Sequence, residues 1–178
     1  KFYEIDYLDK EKLEKVFEVN KIEAVMNFAG YKSDGESVKK PIEYYTNNIS
    51  GCLVLLDTMR KYNVKKFIFS SSATVYGEPE RIPLTEDCKT GGTTNPYGTT
   101  KLFIEQILKD IYASDNTWDI CILRYFNPVG AHESGLIGEE PQGIPNNLMP
   151  YVVRVANGEL KELSVFGNDY NTHDGTGV

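Results

Sequence analysis

Short apolar runs alternate with helix-patterned stretches between residues 2 and 125, and this alternation constrains the fold more than any single motif. Residues 2–6 and 23–28 read as strands, and between them Asp9 is placed to cap a helix reaching about Val19. A long helical stretch covers 41–62, with Pro41 in its first turn and Ile49, Leu53, Leu56 and Met59 spaced for a core face. Residues 66–71 form the next strand, apolar and enriched in aromatics. Gly, Thr and Pro mark 79–95 as loop. Pro96 then opens a helix to about Ala113, with Leu102, Ile104, Ile107, Leu108 and Ile111 on its apolar face, and 119–125 reads as a strand. Strands separated by helices point to an α/β fold: a Rossmann-like, doubly wound parallel sheet, here incomplete, with helices on both faces.

After Asn127 the pattern changes. Residues 130–147 carry Gly, Pro and Asn without a periodic core, followed by a helix over about 148–157 and a short strand over 163–166. Irregular stretches this long are uncommon unless they bind something. The expected division is a dinucleotide-binding core over 1–127 and the start of a substrate-binding region over 128–178. The opening at Lys1 on an arriving strand and the close within a loop suggest a fragment. A net charge of −7 without a compensating basic cluster argues against nucleic acid as a partner, and no apolar run reaches membrane-spanning length. The three cysteines, Cys52, Cys88 and Cys121, lack metal-ligand spacing; Cys52 and Cys121 sit in apolar stretches as expected of small packing residues, and a reducing cytoplasm is the simplest setting.

The chemistry concentrates at Tyr97 and Lys101, four residues apart and so on one face of a helix. Upstream, Ser70-Ser71-Ser72-Ala73-Thr74 closes a buried strand, the end at which open α/β sheets place their ligands. A free phenol has a pKa near ~10 and is a poor base at neutral pH, but a nearby cation favours phenolate. Lowering that pKa by about three units takes roughly 4 kcal/mol of differential stabilisation. With a serine or threonine holding a substrate hydroxyl, the phenolate can take its proton, and such an apparatus needs a hydride acceptor beside it.

These segments, in this order, resemble the extended short-chain dehydrogenase/reductase superfamily, most closely its UDP-glucose 4-epimerase family. The resemblance rests on Asn27-Phe28-Ala29-Gly30, Lys32, Gly35-Glu36-Ser37, Tyr44-Tyr45-Thr46-Asn47-Asn48, the hydroxyl cluster and Tyr97-Gly98-Thr99-Thr100-Lys101. It continues through Leu123-Arg124-Tyr125-Phe126-Asn127-Pro128, the run 141–151, and Phe166-Gly167-Asn168-Asp169-Tyr170. It implies that Tyr97 is the base and acid, that Lys101 lowers its pKa and bonds the nicotinamide ribose, and that Ser72, with Thr74, holds the sugar hydroxyl. It further implies that Asp6 and Tyr7 contact the adenine end of NAD, that Phe28, Ala29, Lys32 and Asn47 line the cofactor, and that Tyr125 lies near the nicotinamide. Asn127, Asn147 and Leu148 would receive the diphosphate of a UDP-sugar and Phe166 its uracil. The reaction implied is interconversion of UDP-glucose and UDP-galactose by transient oxidation at C4, in galactose metabolism, with no metal and with a homodimer as the assembly.

Three departures from the family pattern stand out. Asn27 replaces a common histidine, Ser33-Asp34 bring a carboxylate near Lys32, and Thr99-Thr100 replace a lysine-serine pair. The glycine-rich pyrophosphate loop expected of the family is missing ahead of Lys1, so the fragment itself is expected to be inactive. Other NAD-dependent epimerases, acting on UDP-N-acetylglucosamine or UDP-glucuronate, are alternatives, as is an inactive sugar-nucleotide-binding fragment. A 4,6-dehydratase is disfavoured, because Ala73-Thr74 stand where related dehydratases carry Asp-Glu.

Overall fold

Three parallel strands in the order β1-β2-β3 carry the first part of the chain: β1 (Val25–Asn27), β2 (Lys66–Ser72) and β3 (Asp119–Tyr125). The computed structural model describes residues 1–139, 141, 143, 145 and 147–176. Gln142, Ile144 and Asn146 of the 141–151 motif, and the closing Gly177-Val178, lie outside the described residues. The chain divides into two units, Lys1–Phe126 and Asn127–Val178.

In the first unit, α1 (Lys10–Val19) begins where expected, with the Asp9 side chain accepting from the Lys12 amide. The predicted 41–62 helix is one continuous helical run whose middle is widened: α3 (Pro41–Tyr45), a π-helical turn (Thr46–Ser50), then α4 (Gly51–Lys61). Cys52, Leu55, Leu56 and Met59 form its buried face, while Leu53 is 45% exposed. A π turn carries more residues per turn than an α-helix, so an uninterrupted 3.6 periodicity carried forward from Ile49 loses phase at α4. α5 (Pro96–Ser114) has Pro96 at its start and the Asn95 side chain as cap, accepting from Gly98 N at 2.8 Å.

Strand register decides which side chains share a face. Val25 pairs with Phe67, which pairs with Ile120; Asn27 pairs with Phe69, which pairs with Ile122; Ser71 pairs with Arg124. Phe67 and Phe69 join Leu13 and Phe17 of α1, Cys52, Leu56 and Met59 of α4, and Ile104 and Leu108 of α5 in one buried cluster. Met26, Ile68 and Cys121, in register on the opposite face, take no part in that cluster. Among the described residues, helices α1, α4 and α5 therefore cover one face of the sheet, where helices on both faces were expected. Cys121, expected to pack as a small apolar residue, is exposed on the other face.

Two predicted strands do not form. Residues 2–6 have no ladder partner among the described residues, and Phe2 is 88% exposed. In the second unit, 163–166 likewise forms no strand, with Val165 and Phe166 exposed. Alternation supplies one face of a strand, but a strand exists only where a neighbour accepts its hydrogen bonds. The helix predicted near 148–157 is α6 (Leu148–Ala156). One helix was unforeseen: α2 (Asp34–Lys39), which starts at Ser33, whose hydroxyl accepts from Glu36 N. Ser33 followed three residues later by Glu36 is the spacing of a capping box, so the signal was present in the sequence.

Candidate active site

The carboxyl end of β2 brings together the residues that the sequence singles out. β2 ends at Ser72, whose hydroxyl accepts from Thr74 N and caps a 3-10 turn (Ala73–Tyr76). The first turn of α5 lies against that turn at Gly98, where an added Cβ would stand 3.3 Å from Thr74 Cβ. This close approach brings Tyr97 to Ser72. One turn on, Lys101 is 6% exposed and donates to the Ser70 carbonyl at 2.7 Å. Its ammonium lies 5.8 Å from the centre of the Tyr97 ring and 5.0 Å from that of Phe69.

Electrostatics here differ from the sequence expectation in one respect. Burial raises the Tyr97 phenol above its ordinary value, the Ser72 hydroxyl pulls the other way, and Asp34 raises it further. Lys101, expected to lower it, is itself brought down to about 8 by burial, so its charge is costly and its hydrogen bond goes to Ser70. Asp34 is the carboxylate noted as a family departure; burial pushes it up and the Asn95 amide pulls it down.

Phe28 follows β1 and Tyr125 closes β3; their rings are 6.5 Å apart and both are partly exposed, giving an aromatic wall beside the strand ends. Ala29 is held by the Asn27 side chain, which accepts its amide at 3.1 Å. Lys32 is exposed and has no hydrogen-bond or ionic partner among the described residues. Asp6 is exposed, and its carboxylate accepts from Leu8 N. Tyr7 is half-buried: its hydroxyl donates to the Asn47 carbonyl, and a Cβ at residue 51 would overlap its ring. Asn47 donates its side-chain amide to Asn48. In the second unit, Asn127, Asn147, Leu148 and Phe166 are all exposed, and the Asn147 side chain does not cap α6.

Asn48 is the residue that sequence reasoning missed. Buried in the π turn, it accepts from Tyr31 N at 2.8 Å and donates to Tyr31 O and to Thr100 Oγ1, each at 3.0 Å. Thr100 in turn donates to the Tyr97 carbonyl at 2.7 Å. One amide thus ties the loop carrying Ala29 and Lys32 to the turn of α5 that carries Tyr97. Its signal in the sequence was its place beside Asn47; the π turn that holds it, a form often found at functional sites, is visible only in the structure.

A hydroxyl, a phenol and a buried ammonium gathered at the carboxyl end of a parallel strand, where open α/β sheets place their ligands, mark a dinucleotide-type α/β protein. The chain belongs to the NAD dependent epimerase/dehydratase family, whose pattern matches residues 1–176. It is 65% identical over 178 residues to the UDP-glucose 4-epimerase of Pasteurella multocida, covering 100% of this chain and 53% of that protein. It is 62% identical over 177 residues to the Bacillus subtilis UDP-glucose 4-epimerase, covering 99% and 52%. A crystal structure of UDP-glucose 4-epimerase from Bifidobacterium longum in complex with NAD+ and UDP matches with a TM-score of 0.93 at 63% identity, over 98% of this chain and 52% of that one. The chain therefore spans about half the length of the relatives it matches.

Proposed function

We propose that the whole protein interconverts UDP-glucose and UDP-galactose with NAD as resident cofactor, and that this chain carries its proton-transfer residues. The observation carrying the proposal is the convergence of Ser72, Tyr97 and Lys101 at one strand end. The residues present suit such a cofactor and sugar. Thr74 Oγ1 is buried with no hydrogen-bond partner among the described residues, and a lysine ammonium has three donors, of which Lys101 gives one to Ser70. Phe28 and Tyr125 offer apolar rings beside them.

When bound, NAD supplies the hydride acceptor and donor. Tyr97 takes the proton from the 4-hydroxyl oxygen of the sugar and returns it after the other face has been presented. Ser72 and Thr74 orient that oxygen, and Lys101 stabilises the negative charge that develops on the phenol. Asp6, Ala29, Lys32 and Asn47 line the cofactor, with Tyr7 supporting them through the Asn47 carbonyl. The region 128–178 begins the sugar-nucleotide subsite, with Asn127, Asn147 and Leu148 for the diphosphate and Phe166 for the uracil. Their exposure, and the absence of a capping duty for Asn147, support this assignment.

A cytoplasmic setting and a homodimer belong to the same reading. All three cysteines are free, and no helix among the described residues is long and apolar enough to cross a membrane. Ile42, Leu53 and Phe103 leave apolar side chains exposed on α3, α4 and α5, which supports assembly through these helices.

The test is conversion of UDP-galactose to UDP-glucose by the whole protein. Tyr97→Phe should reduce turnover by about 10²–10⁴-fold, the range for loss of a positioned acid/base. A wild-type protein that holds NAD but leaves UDP-galactose unchanged would reject the substrate assignment.

A further inference from the structure

Below the site lies a buried ion pair that the proposed chemistry does not use. Glu105 is 1% exposed. Its Oε1 accepts from Ser71 Oγ at 2.6 Å and from Arg124 Nε at 3.0 Å, and its Oε2 accepts from Arg124 Nη2 at 2.8 Å. Arg124 Nη1 continues to the Tyr76 hydroxyl at 3.0 Å, and the guanidinium lies 4.8 Å from the Tyr76 ring centre. Four elements meet in this fork: α5, β2, β3 and the 3-10 turn.

Stability alone is a poor reason for such a pair, since a well-packed apolar pair of similar volume often serves as well or better. Its placement suggests another role. Tyr97, Lys101 and Glu105 follow one another at four-residue steps along one face of α5. Each lies by the same strand end: the turn carrying Tyr97 packs at Gly98 against Thr74 of the turn that Ser72 caps, Lys101 donates to the Ser70 carbonyl and Glu105 accepts from Ser71. Arg124 is the cross-strand partner of Ser71, so β3 holds the same rung from the other side. Apolar contacts between α5 and the sheet tolerate sliding, because they are non-directional. A bidentate carboxylate–guanidinium fork does not, because it fixes position and angle together.

We propose that Glu105 and Arg124 are positioning residues that lock the axial register of α5 on β2, so that Tyr97 and Lys101 reach Ser72 and Ser70. This rests on the proton-transfer reading of Tyr97. A register error near 1 Å at a reacting group costs about 10²-fold in rate.

The experiment uses the whole protein and compares wild type, Glu105→Ala, Arg124→Lys and the apolar pair Glu105→Leu/Arg124→Met. Thermal midpoint, NAD content, kcat and KM for UDP-galactose are measured for each. The expected result is that the apolar pair recovers the wild-type midpoint and NAD content while kcat stays roughly 10–100-fold low and KM moves less than about threefold. Arg124→Lys, which keeps the charge but not the fork, should fail in the same way. An apolar pair that recovers both the midpoint and kcat would overturn the proposal and leave the fork a packing element.

Failure of the epimerase reading is distinguishable, because wild type then leaves UDP-galactose unchanged. The register is in that case read from the ring signals and phenol titration of carbon-13-labelled Tyr97. Displacement of both in the apolar pair supports the lock, and wild-type values in that variant overturn it.

Discussion

Lys101 gives its hydrogen bond to the carbonyl of Ser70 at 2.7 Å, while its ammonium stays 5.8 Å from the Tyr97 ring centre. The two groups are neighbours on one helix face, yet burial acts on each separately, disfavouring phenolate in Tyr97 and ammonium in Lys101. Burial thus works against the charged form of both groups. A negative charge brought beside Lys101 would offset the cost of its buried ammonium.

The depressed Lys101 pKa makes stability depend on pH in a definite direction. Between about 8, its folded value, and 10.5, its ordinary one, the unfolded chain binds more protons than the folded one. Stability contributed by Lys101 therefore rises with pH through that window, by up to about 3 kcal/mol. Urea midpoints of wild type and Lys101→Met at pH 7.5, 8.5 and 9.5 should show wild type gaining on the variant at each step. A constant difference would contradict the buried-ammonium account.

Asp34 pushes the Tyr97 phenol in the direction that disfavours ionisation. Asp34→Asn removes that charge while keeping a polar side chain at the start of α2. The pH dependence of kcat in the whole protein should move toward lower pH in this variant, since an anionic neighbour opposes formation of phenolate. A shift toward higher pH would mean that the carboxylate acts on some other group.

Asn48→Ala should cost about 2–3 kcal/mol of unfolding free energy, since the Tyr31 backbone amide and carbonyl and the Thr100 hydroxyl all lose a buried partner. The nearby Gly30 has φ +150°, and an added Cβ would stand 3.2 Å from Asn48 Oδ1, so Gly30→Ala should also destabilise. Chemical denaturation of both variants checks these values. A loss below half a kcal/mol for Asn48→Ala would show that the amide is not the tie between the loop and α5.

Cys88 and Cys52 should react in an order set by their surroundings. The Thr85 amide and the Arg81 guanidinium hold Cys88 below its ordinary value, whereas burial pushes Cys52 up to about 12. Iodoacetamide followed by mass spectrometry should label Cys88 well before Cys52 in the folded protein, because the thiolate is the reactive form. Arg81→Ala should slow Cys88 labelling without changing Cys52.

Much of this molecule was legible before any coordinates. Helix starts at Asp9 and Pro96, the strand at 119–125 and the pairing of Tyr97 with Lys101 on one face all follow from spacing and capping chemistry, which act within a few residues. Even α2 carries its capping box in Ser33 and Glu36. Residues 2–6 and 163–166 have the composition of strands but form none, because a strand is a relation between two segments and no local pattern supplies the second.

Sequence by itself determined where the helices start and which short segments adopt which periodicity, because rotamer preference, capping and hydrophobic spacing are local. Only the tertiary structure decided which distant side chains meet and how burial acts on them. Asn48 bridging to Thr100, Glu105 locked to Ser71 and Arg124, and Lys101 turned toward Ser70 join residues far apart in the chain. Burial and charge proximity depend on three-dimensional packing, and so do the raised phenol of Tyr97 and the lowered ammonium of Lys101.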